Sequence, residues 1–320
     1  MVPLDLLPRL AWSTEIAGTV TPEAAAETGL KAGTPVNAGA GDAAAEAVSV
    51  GVMAPGDLMI MYGSTLFFIL VTEGPRPDPA VWATAYLFPG SYDIAFGMAT
   101  SGSLTKWFRD ELAGYEVLAE RAGGPNAYAA LADLARDVPP GSDGLVTLPY
   151  FSGERTPIND PDARGLVLGL TLRHTRGHLY RSLLEATAYG ARHNLESLGS
   201  LGAAAKRVVA VGGGVRNELW LQIMSDVTGQ RQIVPEKAVG ASYGDAFLAG
   251  LAAGIIPSID ALHRKWVTTE RIIEPNPANA LIYEEYFSVY TSLYPQTRGA
   301  MHRLAELGRR YTAKRTGQFP

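Results

Sequence analysis

Short unbroken apolar runs punctuate this chain. The clearest are Asp57–Tyr62, residues 66–71 and Arg207–Val211. Runs this short, rich in β-branched and aromatic residues and bounded by glycine, read as strands buried on both faces. Only Gly63-Ser64-Thr65 separates the first two, which predicts paired strands joined by a tight turn. Further strands are expected at 145–150 and 232–234. Val36 leads through Gly39 and Gly41 to Asp42 and an alanine-rich stretch, a strand, glycine turn and helix in succession.

Helical spacing appears over 22–28, with Thr21 placed to cap it, and over 103–120, where Leu104, Trp107, Phe108 and Leu112 share a face. It recurs over 128–136, 178–198 and 218–227, and over 241–253 in a helix of very small residues. Residues 1–20 are expected to be extended, 151–172 mostly irregular, and the tail from Ala261 amphipathic and charged. Strands alternating with helices predict an α/β architecture.

Composition narrows the classes of partner. A chain of 320 residues, 47% hydrophobic and 18% charged, has room for one large or two ordinary domains with a sizeable core. A formal charge of −5 argues against a nucleic-acid partner. No apolar run reaches the ~18 residues of a membrane-spanning helix. The start lacks the basic region and long apolar core of a signal peptide. The absence of cysteine excludes disulfides, thiolate metal sites and a cysteine nucleophile. The cytoplasm is the expected compartment.

Several turns carry candidate chemistry. Asp42, a lone carboxylate at a strand-to-helix turn, suits proton transfer or a helix N-cap. Gly63-Ser64-Thr65 offers backbone N–H groups and two hydroxyls without bulk, so it can hold a phosphate or serve as an ordinary hairpin turn. Gly212-Gly213-Gly214 follows a strand and precedes a helix, aiming unpaired N–H groups above the turn, with Asn217 where an N-cap would fall. A dinucleotide fingerprint would need glycine at 217, and the phosphate-loop lysine pattern is absent. The small helix from Ala241 permits close packing against another element or a flat ligand. Ser101-Gly102-Ser103 reads as a helix start or a ligand-facing turn, from which Lys106 would reach a phosphate or water. Glu154-Arg155 and 160–164 form a charged loop, expected as a solvated surface or salt-bridged corner. His174 and His178 are four apart, but Gly177 is expected to interrupt the helix and no third ligand is near, so no metal site is expected.

Taken in order, these turns resemble the carboxyl-terminal half of the FGGY family of carbohydrate kinases, its xylulokinase-like members in particular. The resemblance runs from Leu7 through Gly254. It rests on Gly18-Thr-Val-Thr-Pro-Glu-Ala, Thr28-Gly-Leu-Lys-Ala-Gly-Thr-Pro35, Gly39-Ala-Gly-Asp42, Tyr62-Gly-Ser-Thr65, Gly153-Glu-Arg-Thr-Pro157 and Gly212-Gly-Gly-Val-Arg-Asn217. A further family pattern runs from Gly165-Leu-Val-Leu-Gly169-Leu through His178-Leu to Ser182-Leu-Leu-Glu185, departing at Leu183, where a smaller or β-branched residue is usual.

The resemblance implies an actin-like (ribonuclease H-like) ATPase fold of two lobes, with ATP and Mg2+ in the cleft and a small-molecule sugar, most simply a ketopentose, as acceptor. Asp42 matches the catalytic base that takes the proton of the attacking sugar hydroxyl. Gly63, Ser64 and Thr65 match the second phosphate loop. Gly102 and Lys106 match nucleotide-lining positions, and Gly213, Gly214 and Asn217 match the adenosine motif. On this reading residues 1–55 are the end of the amino-terminal lobe, 56–255 the nucleotide-binding carboxyl-terminal lobe, and 256–320 a helical tail.

The family normally carries most of a first lobe upstream, with an Asp-x-Gly-Thr phosphate loop that Glu15-Ile-Ala-Gly18-Thr19 resembles only superficially. The expectation is therefore a truncation, a split-gene product, or half of an enzyme whose amino-terminal lobe is separately encoded. Positioning supplies ~7–11 kcal/mol of a barrier, so a chain lacking one wall of its cleft should bind nucleotide weakly and turn over little. The other readings are a non-catalytic nucleotide-binding or assembly module, and an NAD-dependent oxidoreductase, which Asn217 disfavours. Oligomeric state stays open, homodimers being the commonest soluble assembly.

Overall fold

A small antiparallel pair comes first: β1 (Ile16–Thr19) and β2 (Pro35–Asn37), with helix α1 (Pro22–Thr28) between them. Thr21 caps α1 by accepting from the Ala24 N–H, as the sequence predicts. This computed structural model describes residues 8–261 and 266–315, together with Pro3 and Leu6. Of the expected extended start, Met1, Val2, Leu4, Asp5 and Leu7 lie outside the described residues, as do 262–265 and 316–320 of the expected tail.

The apolar runs form the centre of a seven-stranded sheet. Its first members are β3 (Asp57–Tyr62), β4 (Leu66–Thr72), β5 (Trp82–Ala85) and β6 (Tyr92–Met98). They are joined later in the chain by β9 (Arg207–Val211), β10 (Gln232–Pro235) and β11 (Thr269–Ile273). The spatial order is β11-β10-β9-β3-β4-β6-β5. The short Gly63 turn forces β3 and β4 antiparallel, whereas β3, β9 and β10 run parallel. Parallel neighbours need long crossovers, and the one between β9 and β10 is helix α7 (Glu218–Thr228). A separate pair, β7 (Val146–Leu148) and β8 (Leu166–Leu168), flanks the otherwise irregular 149–165 segment.

Both sheet faces are covered, which explains why the strands read as apolar runs rather than alternations. Along β3, Leu58, Ile60 and Tyr62 join one core cluster and Met59 the other. The first contains residues of α6 (Arg176–Ser200), α7 and α9 (Ala280–Arg315). The second is closed by α2 (Asp42–Ser49) and α8 (Ala241–Ala252), through Ala47, Val48, Phe247 and Leu248. The small residues of α8 serve this packing. A Cβ built on Gly244 would fall 1.8 Å from the Ala45 carbonyl oxygen, so only glycine lets the two backbones meet.

Several expectations need correction. The helix expected over 103–120 is two, α3 (Gly102–Leu112) and α4 (Gly114–Arg121), broken at buried Ala113, whose φ of −118° and ψ of 38° leave the helical region just before Gly114. Leu104 and Phe108 are buried, but Trp107 and Leu112 stay partly exposed. Gly177 does not interrupt α6. It lies inside that helix, where the missing side chain admits the carbonyl of Leu134 from α5 (Ala127–Arg136). The 256–320 segment is not wholly helical, since it supplies edge strand β11 before α9.

Two polar clusters tie the helices together. Glu185 of α6, fully buried, accepts from the Gly141 N–H (3.0 Å), Ser142 Oγ (2.7 Å), Arg181 Nε (2.9 Å) and Tyr283 Oη (3.2 Å). Asp160 holds α9 by accepting from Tyr294 Oη at 2.6 Å, with His302 Nε2 also at 2.6 Å.

Burial pushes the Asp160 carboxyl up, but the hydrogen bonds from Tyr294, His302 and the Asp162 N–H outweigh it and hold the group at about 2. A carboxyl depressed below its unfolded value of ~3.9 adds stability that is present above that pH and lost as pH falls through about 2. Asp160→Asn should therefore lower stability near neutral pH, and its deficit should shrink to nothing in acid. Denaturant titrations at a series of pH values check this, and a deficit independent of pH would refute it.

Candidate functional site

Three backbone turns converge on one cleft. The first is Gly63-Ser64-Thr65, closed by a Gly63 N–H to Thr65 carbonyl bond of 3.1 Å, with Ser64 exposed at its tip. The second is the segment 99–103 leading from β6 into α3. Its Ser101 and Ser103 N–H groups donate to the Ser64 carbonyl, each at 3.0 Å, and the Gly102 N–H donates to the Gly63 carbonyl at 2.9 Å. Ser103 Oγ adds a bond to Ser64 O at 2.8 Å. A Cβ on Gly102 would lie 2.5 Å from the Gly63 oxygen, so the two turns could not seat with a side chain there. The third is Gly213–Arg216, a single 3-10 turn between β9 and α7. Asn217 caps α7 by accepting from the Trp220 N–H at 3.1 Å, as its position predicts.

The cavity between these turns has a volume of about 970 Å³, within the usual range for small-ligand sites. Tyr62 and Trp220 line it, their rings 5.3 Å apart and nearly perpendicular. The Tyr62 hydroxyl donates to Gln232 Oε1 at 2.6 Å, and burial raises it far above the ordinary tyrosine value. Gly63, Ser64, Gly102, Lys106, Gly213, Gly214 and Asn217 all line this cavity. Thr65 and Asp42 are not among its lining residues.

Asp42 is not an N-cap. Gly41 holds that position, and Asp42 is the first residue of α2, exposed, with Oδ1 accepting its neighbour Ala43's N–H at 2.8 Å. Lys106 is mostly exposed and pairs with Asp110 one turn on, whose hydrogen bond and charge raise the ammonium above its ordinary value. Asn126, Tyr128 and Arg136 on one side, and Tyr180, Arg216 and Trp220 elsewhere, also line the cavity without having been singled out in the sequence. Arg216 stood next to a quoted turn and could have been included. The others reach the cleft through tertiary packing of α5, α6 and α7, which no local pattern announces.

The residues suit a nucleotide. Gly213 leaves open space where a Cβ would stand, with nothing within 4 Å, and the third turn presents a helix N-terminus to that space. No group of three His, Asp, Glu or Cys suited to a metal exists among the described residues. His174 and His178 are engaged locally, their Nδ1 atoms accepting from the Thr171 N–H (2.8 Å) and the Thr175 N–H (3.2 Å). The charged loop is not all solvated surface, because Glu154 is buried.

Sheet, covering helices and cleft are those of an actin-like ATPase fold, shared with solved sugar kinases. A xylulose kinase from Rhodospirillum rubrum superposes with a TM-score of 0.85 at 36% sequence identity, covering 94% of this chain and 59% of that one. The sequence matches the C-terminal domain of the FGGY family of carbohydrate kinases over residues 58–253, and the N-terminal domain of the same family over residues 1–49. The chain belongs to the FGGY family of carbohydrate kinases. Among its relatives, gluconokinase of Bacillus subtilis (strain 168) is 32% identical over 81% of this chain and 51% of that protein. Xylulose kinase of Escherichia coli (strain K12) is 30% identical over 91% of this chain and 58% of that protein. The chain thus spans between half and three-fifths of the length of these relatives.

Proposed function

We propose that this chain is the nucleotide-binding part of a cytoplasmic, ATP-dependent carbohydrate kinase that transfers the γ-phosphate to a hydroxyl of a ketopentose. The observation that carries the reading is the convergence of the three turns on a single cleft. Residues 1–55 act as the end of the first lobe, 56–255 as the second lobe, and 256–320 as a tail that braces it. Gly63, Ser64, Thr65 and Gly102 form the paired turns that receive the phosphates, Gly213, Gly214 and Asn217 receive the adenosine, and Lys106 lines the cavity. Magnesium on the phosphates would neutralise part of their charge. Asp42 takes the proton from the sugar hydroxyl as it attacks phosphorus, the positioning and charge control that phosphoryl transfer requires. An amino-terminal lobe supplies the opposite wall, so the 320 residues alone bind nucleotide weakly and turn over little.

ADP release with MgATP and a panel of ketoses, polyols and sugar acids, for this chain and for the chain joined to an amino-terminal lobe, tests the reading. Turnover dependent on a ketopentose supports it. A preference for gluconate would move the substrate to a sugar acid, and nucleotide binding without turnover in the joined protein would favour a non-catalytic module.

Gly213 offers a sharper probe of the cleft. Because a Cβ there meets no protein atom within 4 Å, Gly213→Leu should leave the melting temperature little changed while raising the Kd for MgADP at least ~10-fold, equal to ~1.4 kcal/mol. Calorimetric titration checks this, and an unchanged Kd would remove the adenosine assignment.

A further inference from the structure

The segment 99–103 is seated on the Gly63-Ser64 turn by the backbone bonds described above, and its other end is held by one carboxylate. The Ala99 N–H donates to Glu154 Oε1 at 2.8 Å, and the Arg155 N–H donates to the same oxygen at 2.7 Å. Glu154 stands on a different loop, itself closed by reciprocal backbone bonds of 2.9 Å with Asp160. Its second oxygen, Oε2, is buried without a hydrogen-bond partner. A buried, half-satisfied carboxylate is costly, and an apolar residue could fill the corner at less expense. Among the described residues, its hydrogen bond outside its own loop is to the amide of Ala99, three residues before Gly102.

We propose that Glu154 is a positioning residue for the phosphate turns, clamping Ala99 so that the 99–103 segment stays seated on Gly63 and Ser64. This rests on the nucleotide reading of the cleft. Glu154 also lines a second cavity of about 360 Å³ with Ala99, Ser152 and Asn159, which leaves room for the loop to shift once the clamp is lost. Burial raises the Glu154 carboxyl to about 7 against the pull of the Ala99 and Arg155 N–H bonds and the Arg155 charge. The groups facing it from other elements are the Tyr150 and Tyr290 hydroxyls, while Asp160 is turned to Tyr294 and His302. Around neutrality the clamp therefore passes from neutral below about 7 to charged above it. Charge beside the phosphate turns disfavours an anionic ligand, so affinity should fall as pH rises through that range.

The test compares Glu154→Ala and Glu154→Gln with the unaltered 320-residue chain, reading amide exchange at Ser101, Gly102 and Ser103, MgADP affinity at pH 6 and 8, and melting temperature. Glu154→Ala, which strands the Ala99 N–H, should speed exchange at those amides by ~10-fold or more and weaken MgADP by a similar factor, with the amides of β3 and β9 unaffected. Glu154→Gln keeps an acceptor for both N–H groups, so it should restore slow exchange and affinity while losing the extra weakening that the unaltered chain shows between pH 6 and 8. A lower melting temperature in Glu154→Ala with unchanged exchange at Ser101–Ser103 would reduce Glu154 to a structural role and overturn the proposal. Failure of the unaltered chain to bind MgADP would instead sink the nucleotide reading, and the exchange rates would still decide whether the clamp exists.

Discussion

Asp42→Asn, made in a protein carrying both lobes, is expected to cut phosphoryl transfer by ~10²–10⁴-fold while MgATP affinity stays as it was. The separation of effects follows from geometry. Asp42 opens α2 on the opposite sheet face from α6 and α7, and it is not among the residues lining the nucleotide-sized cleft. Asparagine keeps the size of the side chain and can still accept the Ala43 N–H, so α2 should form as before. What it cannot do is take a proton from an attacking hydroxyl. Initial rates and calorimetry on the same preparation decide the matter. Retention of the full rate would remove Asp42 from the chemistry, whereas loss of rate together with ATP affinity would show that the substitution had disturbed the cleft.

The largest effect on stability should come from Glu185→Ala. This carboxylate is buried at the meeting point of α6, the 141–142 turn and α9, and it accepts from four donors. Removing it leaves the Arg181 guanidinium, itself 5% exposed, with its charge unpaired, although Tyr283 and the Ala135 carbonyl still bond its terminal nitrogens. Breaking one partner of a buried pair typically costs ~3–5 kcal/mol, a large share of the stability of an ordinary domain. Equilibrium denaturation should show that loss for Glu185→Ala, and much of it should return in an Arg181→Leu, Glu185→Leu double variant, in which no charge is stranded. A single-variant loss below ~1 kcal/mol would mean that water reaches the site.

The sheet was legible because β3, β4 and β9 are buried on both faces and therefore written as uninterrupted apolar runs. The turns were legible for the same reason in reverse: glycine and hydroxyl residues interrupt those runs abruptly. Gly177 misled because glycine lowers helix propensity, and the approach of Leu134's carbonyl, which demands glycine there, is a tertiary event. The contribution of α5 to the cleft was hidden likewise, since Asn126, Tyr128 and Arg136 read as an ordinary helix start and surface. Glu154 was invisible as a buried residue because charge patterning alone places a Glu-Arg pair in solvent.

The contact of Gly244 with Ala45 has one more consequence. At its closest point it is main chain against main chain, so the approach of α8 to α2 there is limited by backbone atoms rather than by a side-chain rotamer. The carboxylate at the head of α2 is thus registered to the sheet by a rigid gauge rather than an adjustable packing layer. Divergence on the outer surfaces of either helix, including exposed Val239 just before α8, can proceed without altering that alignment. The tolerance of the surface and the intolerance of a single buried glycine are two sides of the same construction.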